Sequence, residues 1–329
     1  MPDNKSKAGI VPCHAGINYT IWDQYEDRLE KLREECPHVG LGGRQGKDSP
    51  RAKEHKKRDE WGCLWHFPGM GLDGQVIEHP LDDWDKLDSW QPPSTAKRVE
   101  AICKEAEERK QAGEQPRGAS FEHGFLFLRL TYLRGFENFM VDVAEENPKL
   151  YELRDVVAGY WYQVAKTHFD FGGNSISGGD DLGLQDRLPI SPSAWRKLLK
   201  PGFERIYSPA RERGARVHMH TDGFIVDVIP DLIEVGVTSL NPQDLVNGLD
   251  NLARLAKGKV HIALDIDRQR ITAFGTPDEI DAHIENCIRT LGSPAGGLSL
   301  GWGVYPGTPI ENIEACVRAM QKYHGMWVE

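Results

Sequence analysis

From about residue 115 onward the chain alternates short apolar runs with helix-patterned stretches, and this repeat constrains the fold more than any other feature. Strand, helix, strand at this spacing leaves room for a crossover between neighbouring strands, and such crossovers make the strands parallel. The strand segments are 118–122, the strand-and-loop stretch 169–181, 217–220, 237–241, 259–266 and 296–301. Helix signals lie between them. A charged helix is predicted near 98–112 and further helices from 123 to about 166. Ser191-Pro192 offers an N-cap followed by proline in the first turn, and 227–235 is stopped by Gly236. Thr276-Pro277-Asp278-Glu279 and Thr308-Pro309-Ile310-Glu311 both carry the capping-box pattern. The strands are numerous enough to close an α/β barrel. An open doubly wound sheet is the competing architecture, but no G-x-G-x-x-G follows a strand to support nucleotide binding.

A chain of 329 residues suits one such barrel with insertions, so 1–329 is read as a single domain. Residues 43–60 are polar and basic and read as an exposed insertion. The formal charge of −10 excludes a phosphate-backbone ligand, which needs a basic footprint, so no nucleic acid is expected. No run approaches the roughly 20 apolar residues of a membrane span. No apolar stretch follows residues 1–5, so no leader is read there and the expected location is the cytoplasm. The six cysteines, at 13, 36, 63, 103, 287 and 316, form no CxxC pair and read as reduced thiols, with Cys287 and Cys316 as core fillers on helices.

In a parallel barrel the working residues sit where strands end. Read in order, the strand ends give Glu122 and His123, Asp180 and Asp181, His220 and Asp222, Asn241 and Gln243, Asp265 and Asp267, then Trp302 between two glycines. Barrel interiors favour branched apolar residues, so a polar group at nearly every strand end argues for a cleft. The stretch Val217-His218-Met219-His220-Thr221-Asp222-Gly223 is its sharpest part. Strand periodicity puts His218, His220 and Asp222 on one face, the outer two about 13 Å apart. His220 and Asp222 can therefore act as adjacent metal ligands, with Glu122, Asp180, Asp181 or Asp265 completing the set. The other reading makes His220 a metal-free substrate contact or general acid. His218, one layer deeper, reads as a satisfied core histidine. Adjacent Asp180 and Asp181 point to opposite sides, so one faces the cleft and the other suits a loop or a helix cap. Trp302 either caps the barrel or walls a pocket for a flat substrate.

These segments resemble the uroporphyrinogen-decarboxylase superfamily. The similar stretches are Asp180-Asp181-Leu182-Gly183 with Ile190-Ser191-Pro192, His220-Thr221-Asp222-Gly223, Ile229-Pro230-Asp231 through Val237, Leu240-Asn241-Pro242-Gln243, and Gly301-Trp302-Gly303 with Pro309 to Ile313. Before residue 115 the likeness is weaker. There, Asp59-Glu60-Trp61-Gly62 and His79-Pro80-Leu81 echo the corrinoid-dependent methyltransferase branch. The resemblance implies a single distorted (β/α)8 TIM-type barrel and two main chemistries. Decarboxylases of the superfamily carry an arginine-rich segment near the N-terminus, whereas residues 1–40 hold only Arg28 and Arg33.

Methyltransferases acting on thiols hold zinc through a His-x-Cys pair and a later Cys; here His220 matches, while Asp222 and Trp302 stand at the cysteine positions. A histidine with carboxylates makes a harder site, or a plain acid, suited to an ether oxygen. The expected activity is O-demethylation, moving methyl from a methoxylated and perhaps aromatic donor to the cobalt of a corrinoid protein. In it His220, Asp222, Glu122 and Asp181 are catalytic, while His123, Asp180, Asn241, Gln243, Asp265 and Trp302 bind substrate. Zn2+ is a candidate ion on His220 and Asp222, the corrinoid (cobalamin) arrives on the partner protein, and a homodimer is compatible with the resemblance. The alternatives are a uroporphyrinogen-type decarboxylase and a non-catalytic corrinoid- or tetrapyrrole-binding barrel.

Overall fold

The computed structural model describes residues 9–328; residues 1–5, on which the reading of no leader rests, lie outside them. Eight strands carry the α/β pattern: β1 (Cys13–Ile17), β2 (Val39–Gly42), β3 (Ala119–Ser120), β4 (Ser175–Gly179), β5 (Arg216–Thr221), β6 (Ser239–Pro242), β7 (His261–Asp265) and β8 (Leu298–Val304). The fold class is α/β of the TIM-barrel type, with helices between successive strands. The chain divides into two compact units, and β6 runs from one into the other at residues 240–241.

The first unit comprises residues up to 55, 67–73 and 241 onward. Its strands lie in parallel register, with Cys13 opposite both Val39 and Leu300, and Ile262 opposite Leu298. In β8 every second residue is buried (Leu298, Leu300, Trp302, Val304), the period-2 signature of a strand. The helix Pro277–Leu291 buries Ile280, His283, Ile284, Cys287, Ile288 and Leu291, a stripe at helical spacing. Thr276 and Glu279 form the reciprocal capping box that the sequence predicts. The matching pattern at Thr308 does not. The helix Ile310–Tyr323 follows Pro309 without a side-chain cap, and Thr308 Oγ1 instead donates to the carbonyl of Tyr305.

The second unit comprises residues 56–66 and 74–240. Here β3, β4 and β5 are parallel, with Ala119 opposite Ile176 and Gly179 opposite His220. Thr238, just before β6, donates its backbone N–H to Val217. The helix Pro148–Asp170 runs further than predicted, so the strand begins at Ser175 and not near Phe169. Phe169 is buried, and it extends the stripe of Val157, Trp161 and Ala165 by one more helical step. That apolar stripe is what keeps the segment helical. Ser191 accepts a backbone N–H at its helix start, as read; Ser94 does the same for the helix Thr95–Gln111, which begins three residues before the expected 98.

Residues 43–60 contain two short 3-10 turns (Arg44–Asp48, Pro50–Ala52) and the strand His55–Arg58, and no described residue among them is buried. All six cysteines are free thiols. Among the described residues, no helix is long and apolar enough to cross a membrane.

Candidate active site

Glycine at the end of β4 lets the chemistry gather. Gly179 stands opposite His220 in the β4–β5 register, and His123 follows β3 by three residues. A Cβ at Gly179 would stand 2.7 Å from Nδ1 of His123 and 3.3 Å from Cδ2 of His220. Only a residue without a side chain leaves room for both rings, whose centroids lie 5.8 Å apart.

Asp181 joins them. Its Oδ2 accepts from His123 Nε2 at 2.9 Å, its Oδ1 accepts the backbone N–H of Asp222 at 3.0 Å, and Oδ1 lies 3.8 Å from His220 Nε2. Burial alone would raise this carboxyl, but His123, the Asp222 N–H and His220 together hold it below the ordinary carboxylate range. Asp222 Oδ1 is 3.4 Å from His220 Nε2. Ligand atoms of His123, Asp181 and His220 all fall within 4.8 Å of one another. This nitrogen and oxygen donor set fits a borderline divalent ion. It differs from the expected His220–Asp222 pair: His123, expected as a substrate contact, enters the set, and Asp181 is its centre. The cause is that three strand ends, not one, converge across Gly179.

The adjacent Asp180 turns the opposite way, as strand geometry requires. It is fully buried, and its Oδ2 accepts the N–H groups of Leu126 and Phe127 while Oδ1 accepts that of Leu128. Expected to contact substrate, it instead closes the N-terminus of the helix Phe127–Arg134, satisfying donors the helix itself leaves open. Glu122 is half-exposed and receives Arg129 Nη2 at 3.1 Å, so it does not join the donor set. Burial raises its carboxyl, against the pull of Arg129.

Arg129 is a site residue that strand-end reasoning misses, because it lies on a helix. It is buried, its Nη1 donates to Asp59 Oδ2 at 2.7 Å, and its guanidinium packs over the rings of Trp61 and Tyr132. Asp59 is held in turn by the N–H groups of Trp61 and Cys63 and by Trp65 Nε1. His79 Nδ1 bonds the carbonyl of Tyr132, and Leu81 N–H donates to Leu133. Both segments 59–62 and 79–81, singled out by resemblance, therefore brace the helix that carries Arg129. His218 is bonded to Ser239 Oγ, consistent with a satisfied strand histidine.

The remaining predicted residues lie in the other unit. Asn241 donates to the Ala263 carbonyl, Gln243 bridges to Asp265 in parallel, and Asp265 pairs with Arg268, whose guanidinium lies over Tyr305. Asp267 accepts the N–H groups of Gln269, Arg270 and Ile271 and shapes the turn there. Trp302 is buried in register with Ala15, and its indole N–H meets no acceptor among the described residues.

The chain is similar to known proteins along most of its length. The uroporphyrinogen decarboxylases of Synechococcus sp. (strain CC9605) and Parasynechococcus marenigrum (strain WH8102) are each 24% identical over 274 residues, covering 78% of this chain and 75% of the relative. A solved methyltransferase from Methanosarcina mazei shares the fold, with a TM-score of 0.61 and 16% identity over 96% of this chain and 94% of that one. The family model described as uroporphyrinogen decarboxylase (URO-D) matches residues 62–323, well over half of the 329, and the chain belongs to that family.

Proposed function

We propose that this protein is a methyltransferase that takes the methyl group of a methoxylated small molecule and passes it to the cobalt of a corrinoid protein. The observation that carries the reading is the convergence of His123, Asp181 and His220, with Asp222 beside them, on one point at the ends of β3, β4 and β5. An ether is a poor leaving group until its oxygen is protonated or polarised. A cluster of imidazoles and carboxylates at one point supplies that, and lacks the thiolates that would suit a thiol acceptor.

The residues divide the work as follows. Asp181 fixes the His123 ring by accepting its Nε2–H and fixes the Asp222 backbone through its other oxygen. In the metal-free form of the mechanism, His220 passes a proton from Nε2 to the ether oxygen; with an ion bound, the ion takes that role. As cobalt(I) takes the methyl with its own electron pair, the carbon–oxygen bond breaks and the oxygen leaves as a hydroxyl. A divalent ion held by His123, Asp181 and His220 would supply Lewis-acid polarisation of the same oxygen. Glu122, held by Arg129, would orient the donor at the edge of the cluster. The cobalt comes on a partner protein, which makes that corrinoid protein the second substrate.

The test offers a panel of methoxylated aromatics and a cobalt(I) corrinoid protein to wild type, His220→Ala and Asp181→Asn, with methyl-cobalt followed by its absorption and CO2 release measured in parallel. Methylation by wild type that falls by at least about 100-fold in His220→Ala supports the reading, a loss in the range of general acid catalysis. CO2 release from a carboxylated tetrapyrrole without methyl transfer would overturn it in favour of decarboxylation.

A further inference from the structure

We propose a second metal site, in the first unit, formed by Asp244, His283 and Cys287 and suited to a zinc-class ion. The three residues are buried, Asp244 and Cys287 completely. His283 Nε2 lies 2.7 Å from Asp244 Oδ2 and 3.6 Å from Cys287 Sγ, and Sγ lies 4.0 Å from that same carboxylate oxygen. A nitrogen, an oxygen and a sulfur thus surround one point.

The geometry distinguishes this cluster from a nucleophilic triad. There, histidine bridges thiol and carboxylate through its two different ring nitrogens. Here, thiol and carboxylate both approach Nε2, and a single N–H cannot serve both well. Convergence on one point is what a cation needs. On binding, the ion replaces the Cys287 proton and the proton shared by His283 and Asp244, and both leave to solvent.

The supports are in place. His283 and Cys287 sit four residues apart on the buried face of the helix Pro277–Leu291, one turn above each other. Asp244 Oδ1 is anchored by the Leu245 N–H, which leaves Oδ2 for the cluster. The fourth position of a zinc-class ion would be filled by water. His283 also lines a cleft of about 660 Å³ with Arg270, Phe274 and Glu279, which gives an ion a route in. The ion would fasten the helix Pro277–Leu291 to the turn after β6.

The test titrates the chelator-washed full chain with Co2+ in a Cys103→Ser, His220→Ala background, which removes the most accessible thiol and disables the site at Gly179. The expected result is a thiolate-to-cobalt charge-transfer band saturating at one ion per chain, lost in Cys287→Ser, together with a thermal midpoint that rises with Co2+ only while Cys287 is present. X-ray absorption at the cobalt edge reads the same point in folded protein without a variant at the site. A shell of nitrogen and oxygen with no sulfur, or a band that survives Cys287→Ser, would overturn the proposal.

Discussion

Gly179 faces His123 so closely that a single added Cβ would stand 2.7 Å from the Nδ1 of that ring. The neighbour it meets is a half-exposed imidazole, which can swing aside. Gly179→Ala is therefore expected to change stability by less than about 1 kcal/mol, since the strand also gains from the loss of glycine's backbone freedom. Activity and any metal affinity at His123, Asp181 and His220 should fall sharply, because His123 must leave Asp181 to make room. Parallel thermal melts and turnover assays check this; full activity in Gly179→Ala would show that His123 need not stay where it is.

Asp181 gives the site its acid limit. Its carboxyl is held below the ordinary value, so the folded state favours the ionised form. The stabilisation is complete above the unfolded carboxylate value of about 3.9 and is lost as pH falls through the lower folded value. Asp181→Asn should cost about 2 kcal/mol at neutral pH, the scale of hydrogen bonds to a charged group. Denaturation midpoints of the two proteins should converge as pH drops below about 4. A deficit that stays constant down to pH 3 would assign the loss to packing and not to charge.

The strand-end pattern makes the neighbourhood of β3 to β5 legible in the sequence. Of the ten predicted site residues, His123, Asp181, His220 and Asp222 come together at the ends of β3 to β5, while Asp180 turns to a helix N-terminus and Glu122 to Arg129. What the pattern could not say is how neighbouring strands register. That register decides that His123 joins Asp181 and that Glu122 goes to Arg129. Arg129 was hidden for a different reason. Among the apolar neighbours of its helix it looks like an ordinary charged residue, and nothing in the sequence ties it to the Asp59-Glu60-Trp61-Gly62 segment that it pairs with. Cys287 is buried on its helix, as the core-filler reading has it, and nothing in sequence spacing brings Asp244 to its thiol.

Arg129 and Asp59 form a pair whose halves are unequal to lose. The guanidinium is nearly inaccessible, with 3% of its side chain exposed, while Asp59 is 22% exposed. Asp59→Ala leaves the buried cation only the half-exposed Glu122 as a carboxylate partner among the described residues and frees three donors, at Trp61, Cys63 and Trp65, so it should cost about 3 kcal/mol. Arg129→Met, which removes the cation and keeps the apolar stem against Trp61, should cost less. Urea midpoints of the two variants decide the order; the reverse order would mean that the aromatic packing of the guanidinium outweighs its charge.

Two nearly identical sequence patterns allow a last comparison. Thr276 accepts the Glu279 backbone N–H and Glu279 returns a bond to the Thr276 N–H, whereas Thr308 spends its hydroxyl on the Tyr305 carbonyl and gives nothing to the helix that begins at Ile310. Thr276→Ala removes a cap and should cost about 1 kcal/mol. Thr308→Ala gives up one exposed hydroxyl bond, so its cost should be about 0.5 kcal/mol at most. Calorimetric midpoints of the two alanine variants measure the difference directly. Equal losses would mean that the second box closes in solution, and that the proline immediately before the helix at 310 does not prevent it.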